Sequence, residues 1–316
     1  MRGIAPKSLS HKREVVLLAT HAMGTRFELV LVGEDPIHLR AAGEEALREI
    51  QHWHDRLSRF TPDSDITRLN HNPRARIDPD LADLLALAED VRLASNGAFD
   101  AHTGPDRFLD LGAIAKGFAL DRAAAILQDC GIHNALLHGG TSSIIALDSP
   151  PSAPLPLRGA SSLPWASAHR ERESHTHASE GRQSGWPIQL ASSGAPLNLI
   201  LHNQALGISS TRFRDHILNP STLGTAHPAD TAAIIAPLST PNAAALADAW
   251  STALIVLGQR PATLPDHFTS HIHTPTHGWT SHTPPPSFRP PPLPLSPSPP
   301  PPAPTAPAGP PALAPP

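Results

Sequence analysis

The chain is poor in the residues that would make several functions easy to assign. It has one cysteine, Cys130, so it forms no intramolecular disulfide and holds no cysteine-based zinc site. Tyrosine is absent. Charge is sparse: Asp, Glu, Lys and Arg make up 16% of 316 residues, and 24 Lys+Arg against 28 Asp+Glu leave a formal net charge of −4. That balance excludes a nucleic-acid-binding protein held by a basic field. No run of 18 or more apolar residues occurs, which excludes a transmembrane helix. The basic start, 1–13, is followed by an apolar run, Val15–Ala19, too short for the core of a secretion signal. Together these absences imply a soluble, cytoplasmic protein.

Proline is the residue in excess, with 38 copies, and its clustering sets the expected boundaries. From Pro284 to Pro316, 18 of 33 residues are proline. Proline lacks a backbone N–H and turns its predecessor away from helix, so this end reads as disordered or polyproline II. It is taken with the residues before it as a tail over 266–316, solvated in preference to docked in a partner's groove. A second low-complexity stretch, 149–184, starts proline-rich and turns polar, with His169, His175 and His177. Nothing around these histidines offers a supporting shell, which favours a surface insertion over a metal site. Between a flexible N-terminus (1–13) and the tail, 14–265 reads as one domain.

Within that domain the patterning is mixed α and β. Arg26–Val32 alternates as a strand. Ile37–Leu57 is helical, with Leu39, Ala46, Ile50, Trp53 and Leu57 on one face. Asp80–Ala94 is a second helix, stopped by Asn96-Gly97, and a third runs from beyond Gly112 to Gly131. Strands are expected at Asn134–Leu137, Ser143–Leu147, Ile188–Ala191, Leu197–Leu201, Ala205–Ser209 and Thr231–Ala236. Thr240-Pro241 reads as the N-cap and first residue of a last helix that ends at Gly258.

Three segments carry chemistry. In Leu109-Asp-Leu-Gly-Ala-Ile-Ala-Lys-Gly117 an acid and a glycine turn precede a helix start, where backbone N–H groups and the dipole favour an anion and Lys116 adds a cation. The bland alternative is a glycine-permitted close packing with Lys116 in solvent. In Ala247-Asp-Ala-Trp-Ser-Thr252, Leu246, Trp250, Ala253 and Leu257 form an apolar stripe while Asp248 and Thr252 share the opposite face. A carboxylate and a hydroxyl one turn apart are hard oxygen ligands suited to Mg²⁺, although an exposed Asp with a back-bonded Thr is the simpler reading. In His216-Ile-Leu-Asn-Pro-Ser-Thr-Leu-Gly224 a histidine precedes a turn, where it is able to take a proton from a hydroxyl. Ala22-Met-Gly-Thr25, Leu57-Ser-Arg-Phe60 and Gly97-Ala-Phe-Asp100 look like binding walls, each better read singly as core.

The order of these segments resembles the ApbE family of FAD:protein FMN transferases, from Met23 to Gly258. The resemblance implies an α+β fold of mixed or antiparallel sheets with flanking helices. It implies cleavage of FAD at its pyrophosphate, transfer of FMN to a Thr or Ser hydroxyl of a target flavoprotein, and release of AMP, with Mg²⁺ as cofactor. By motif, the metal is expected on the Ala113 carbonyl, Asp248 and Thr252. FAD is expected against Met23, Phe60, Ala98, Phe99, Asp100, Asp110, Lys116 and Ile217, with His216 as the base. The chain departs from the family pattern in Asn219, where an Asp is usual, in Ser251, where a second acid often stands, and in His138, where an Asn is common. The alternatives are an FAD pyrophosphatase giving FMN and AMP, and a flavin-binding protein without catalysis.

Overall fold

The computed structural model describes residues 13–104, 106–148, 185–212, 217–225 and 227–284. His216, the expected insertion 149–184 and the proline-rich 285–316 lie outside the described residues, as does the start of the chain before Arg13.

One antiparallel sheet organises the rest. Its strands are β1 (Glu14–Ala22), β2 (Thr25–Gly33), β5 (Ala135–Gly139), β6 (Ser143–Leu147), β9 (Gln204–Ser210), β10 (Thr231–Pro237), β11 (Thr269–Thr274) and β12 (Gly278–His282), joined in the order β1-β2-β5-β6-β9-β10-β11-β12. Every neighbouring pair is antiparallel. Two small hairpins stand apart: β3 (His102–Thr103) with β4 (Phe108–Leu109), and β7 (Trp186–Leu190) with β8 (Leu197–Leu201). The described helices are α1 (Pro36–Leu57), α2 (Asp65–His71), α3 (Pro79–Ala94), α4 (Ala115–Asp129) and α5 (Ala243–Leu257). The architecture is α+β, as the family resemblance implies.

Because side chains alternate across a strand, the central strands feed two cores. Phe27, Leu29 and Leu31 of β2 join Leu137, Ile145, Ala205 and Ile234 in the core beneath the helices, with Trp53, Phe118 and Trp250. Val30 and Val32 face the other way, into a smaller core with Leu136, Ile144, Leu206 and the hairpin residues Trp186, Ile188 and Leu190. One face of the sheet is therefore roofed by helices and the other by the β7–β8 hairpin.

Local signals explain the long helices. The Asp35 carboxylate accepts the N–H groups of Ile37 (2.9 Å) and His38 (3.2 Å) ahead of α1, and Pro36 fills the first turn. Leu39, Ala46, Ile50, Trp53 and Leu57 are buried along one stripe, as the periodicity predicts. Asp78 and Pro79 open α3 in the same way, with Asp78 Oδ1 accepting from Leu81 N–H at 3.0 Å. Arg56, over the Trp53 ring at 4.4 Å, donates to Asp65 Oδ2 at 2.6 Å and also pairs with Asp78, so the starts of α2 and α3 are tied to the end of α1.

The structure corrects three expectations. The tail does not begin at 266: Thr269–Thr274 and Gly278–His282 are β11 and β12, which close one edge of the sheet. Their His-, Ser- and Thr-rich sequence lacks the apolar alternation that marks a strand. The run Val15–Ala19, weighed only as a signal core, lies within β1 at the opposite edge. Thr240 is not the cap of the last helix. Its hydroxyl meets His267 Nε2 at 3.2 Å, and α5 starts after Asn242, whose backbone is left-handed and whose side chain does not cap.

The last helix sits unusually close to its neighbours. A Cβ on Gly117 would lie 2.2 Å from the Ala244 carbonyl oxygen, and one on Gly207 would lie 2.2 Å from the Ala247 carbonyl carbon. Neither backbone has room to yield without moving α5. We expect Gly207→Ala to destabilise the protein by about 1–3 kcal/mol, the usual cost of overpacking, in a urea unfolding titration; wild-type stability would show that the helix is seated elsewhere.

His271 on β11 supplies a pH test. Its Nδ1 meets Ser281 Oγ at 2.7 Å, its Nε2 is buried without a partner, and burial holds its pKa below the usual 6.5. The unfolded chain then binds the proton more readily, so this contribution is present above 6.5 and lost as pH falls through the folded value. His271→Gln is expected to reduce the drop in urea midpoint between about pH 7.5 and about pH 5.5. An equal drop in both proteins would remove His271 as a source of acid sensitivity.

Candidate functional site

The site forms where α5 crosses the start of α4 and the ends of β6 and β9. Strand register brings its parts together. Ser143 pairs with Gly207, and both belong to the face roofed by the helices. Asp248 on α5 is only 5% exposed, contrary to the simpler expectation of a solvated acid. Its Oδ2 accepts the Gly117 N–H at 2.8 Å and the Ser143 hydroxyl at 2.6 Å. Its Oδ1 is buried and has no hydrogen-bond partner among the described residues.

Hydroxyls line the adjoining turn. Ser209 Oγ lies 2.8 Å from Ser251 Oγ and 3.0 Å from Thr252 Oγ1. Ser251 and Thr252 both donate to the Asp248 carbonyl, at 2.9 and 3.2 Å. The back-bonding expected of a helical Thr is therefore present, yet Thr252 also belongs to a half-buried cluster of hydroxyls. Ser251 brings an oxygen and no second charge. Among the described residues no group of three or more His, Cys, Asp or Glu is placed to hold a metal.

A second acid supports the first. Asp121 on α4 accepts the N–H groups of Ala244 (3.0 Å) and Ala245 (2.9 Å), which begin α5. Neither α4 nor α5 has a side-chain cap from its own N-cap residue. Asp121 caps α5 and Asp248 caps α4, so the two helices cap each other. Burial is the main force on both acids and pushes each pKa up to about 7; the backbone N–H bonds oppose it at Asp121, and Lys116 and the Ser143 hydroxyl oppose it at Asp248.

The loop before α4 is held from several sides. Asp110 Oδ1 accepts the Gly112 N–H at 2.9 Å, and its Oδ2 lies 3.3 Å from Arg59 Nε. Lys116 Nζ donates to the Gly112 carbonyl at 3.1 Å. Asn70, in α2, brackets Leu109 by donating to its carbonyl at 3.0 Å and accepting its N–H at 2.7 Å. Ala113, half-buried, lies in the turn leading into α4.

The binding-wall residues divide into exposed and buried. Phe60 is 81% exposed and carries the Arg59 guanidinium 4.6 Å from its ring centre, leaving an accessible aromatic surface. Phe99 and Ala98 are in the core, the simpler of the two readings for their side chains. Asp100 accepts the His102 N–H at 2.8 Å and pairs with Arg107 at 3.2 Å, on the wall of a cavity of about 360 Å³ shared with Asn70, Arg92 and Phe108. Met23 has a left-handed backbone, and its N–H donates to His54 Nδ1 at 3.0 Å. Ile217 is buried, and its carbonyl accepts from His227 Nε2 at 2.6 Å. Asn219 accepts the Ser221 N–H at 2.9 Å through its side-chain oxygen, the turn bond an Asp would make there.

Sequence reasoning named Asp248, Thr252, Lys116, Asp110 and Ala113, and the structure gathers Asp248 and Thr252 with the start of α4. It missed Ser143 and Ser209 as members of the site. No local pattern distinguishes those serines; only the β6–β9 register and the passage of α5 over Gly207 expose their role. The donor types suit a hard divalent cation: a buried carboxylate oxygen without a partner among the described residues, on a helix whose next turn carries the Ser251 and Thr252 hydroxyls. The helix start and Lys116 suit an anion next to it.

A family model described as the ApbE family matches residues 23–107 and 101–264. Direct comparison with curated proteins finds no sequence match. Among solved structures, the flavin transferase ApbE of Vibrio cholerae is similar with a TM-score of 0.65 at 17% identity, over 86% of this chain and 98% of that one. The ApbE protein of Thermotoga maritima gives 0.62 at 19% identity, over 86% and 97%. The flavinyl transferase ApbE of Pseudomonas stutzeri, in its apo form, gives 0.61 at 18% identity, over 85% and 94%.

We expect Asp121→Ala to lower unfolding stability by about 0.5–2 kcal/mol, the scale of a lost helix cap. The check is a urea titration followed by circular dichroism; an unchanged midpoint would mean that α5 does not depend on its neighbour's carboxylate.

Proposed function

The chain belongs to the ApbE family, and from that premise we propose that it transfers the FMN portion of FAD to a Thr or Ser hydroxyl of an acceptor flavoprotein and releases AMP, with Mg²⁺ as cofactor. The observation that supports this most is the buried Asp248 carboxylate, one oxygen engaged by the start of α4 and the other without a partner.

Asp248, Thr252 and the Ala113 carbonyl would hold the cation. When bound, it supplies charge neutralisation on the pyrophosphate, which phosphoryl-type transfer needs more than covalent help. The chain's own residues supply the remainder. The first turn of α4 and Lys116 set positive potential where the phosphates would lie. Phe60 offers a ring face to the donor's aromatic part, with Met23, Asp100, Asp110, Ile217 and the backbone of Ala98 and Phe99 completing the FAD surface. His216 would take the proton from the acceptor hydroxyl, which is a poor nucleophile until a base lies within hydrogen-bond reach. Arg59 and Asn70 hold Asp110 and Leu109 in place, fixing the loop that leads to Lys116.

A second reading, flavin binding without transfer, draws on the single carboxylate of the site and on Ser251 in place of a second acid. One experiment separates the readings. The protein is incubated with FAD, Mg²⁺ and an acceptor domain carrying a Thr or Ser target, and the acceptor is weighed by intact mass spectrometry while AMP is measured. We expect the acceptor to gain one FMN with matching AMP, and Asp248→Ala to abolish the Mg²⁺-dependent turnover. AMP without a mass gain would point to hydrolysis of FAD, and retained FAD with neither product would point to binding alone.

A further inference from the structure

We propose that Ser143 is a positioning residue for the cation site: its hydroxyl, with the Gly117 N–H, locks the Asp248 carboxylate so that Oδ1 is the oxygen presented to the ion. The proposal rests on the reading of Asp248 as a cation ligand and adds to it a residue from another strand.

The geometry carries it. Ser143 is fully buried, so its hydroxyl has no water to turn to. It donates to Asp248 Oδ2 at 2.6 Å, and Gly117 N–H donates to the same oxygen at 2.8 Å. Two donors converge on one oxygen while the other, in the same buried carboxylate, has none. The terminal torsion of an Asp side chain is broad, so a carboxylate held by one bond turns easily. Two bonds from separate elements, the start of α4 and β6, fix its plane. Ligand orientation by such outer partners is worth about 10- to 100-fold in metal affinity. The Ser143–Gly207 register also places this hydroxyl beside the glycine over which α5 passes, so the bond forms only when the helix is seated.

The test uses the full chain as wild type, Ser143→Ala and Ser143→Thr. Two quantities are read: the dissociation constant for Mn²⁺ alone, by calorimetry, and the chemical shift and exchange rate of the Gly117 amide in metal-free protein, by NMR. We expect Ser143→Ala to weaken Mn²⁺ binding by about 10- to 100-fold and to move the Gly117 amide, because the oxygen it donates to has been released. Ser143→Thr, which keeps the hydroxyl, restores both toward wild type. Circular dichroism and the urea midpoint of each variant confirm that the comparison is between folded proteins. A Ser143→Ala protein that keeps either the wild-type Mn²⁺ affinity or the wild-type Gly117 amide overturns the proposal. Failure of wild-type protein to take up Mn²⁺ would instead count against Asp248 as a cation ligand; the Gly117 amide alone then decides whether Ser143 orients the carboxylate.

Discussion

The reciprocal capping of α4 and α5 is the constraint on which the rest of the site depends. A helix start leaves N–H groups without intrahelical partners, and here neither helix satisfies them with its own cap. Each borrows a carboxylate from the other: Asp121 for Ala244 and Ala245, Asp248 for Gly117. The exchange works only at very short separation, which Gly117 and Gly207 permit because they carry no Cβ. Burial opposes the charge of both acids and pushes each pKa up to about 7; the Ala245 and Ala244 N–H groups oppose that shift at Asp121, and Lys116, the Ser143 hydroxyl and the Gly117 N–H oppose it at Asp248.

The two oxygens of the Asp248 carboxylate are used unequally. A carboxylate has two oxygens. At Asp248 one closes the gap between helix and sheet, through Gly117 and Ser143, and the other remains without a protein partner. The hydroxyls of Ser209, Ser251 and Thr252 add oxygen without adding charge. The carboxylate that ties α5 to α4 and β6 is thus the same one that leaves an oxygen unengaged, and a shift of α5 would change both together.

Much of the helical framework was legible because its signals are local. Asp35-Pro36 and Asp78-Pro79 announce α1 and α3, and the 3.6-residue stripe from Leu39 to Leu57 shows which side of α1 is buried. The i, i+4 relation of Asp248 and Thr252 was legible for the same reason. What escaped was set by partners far away in the chain. The start of α5 is decided by Asp121, so Thr240-Pro241 gave a false cap. The strands at 269–282 are polar and follow from pairing with β10 rather than from their own pattern. α2 is only seven residues long, too short to show a period. Ser143 and Ser209 are ordinary serines until the sheet register places them under α5.

The bond between Gly117 and Asp248 joins residues 131 apart, and that between Ser143 and Asp248 joins residues 105 apart. Loop closure over such spans must be met before these bonds return anything. The Asp248 carboxylate and its two anchors therefore meet only once both spans are closed, so a chain that lacks α5 does not assemble this cluster.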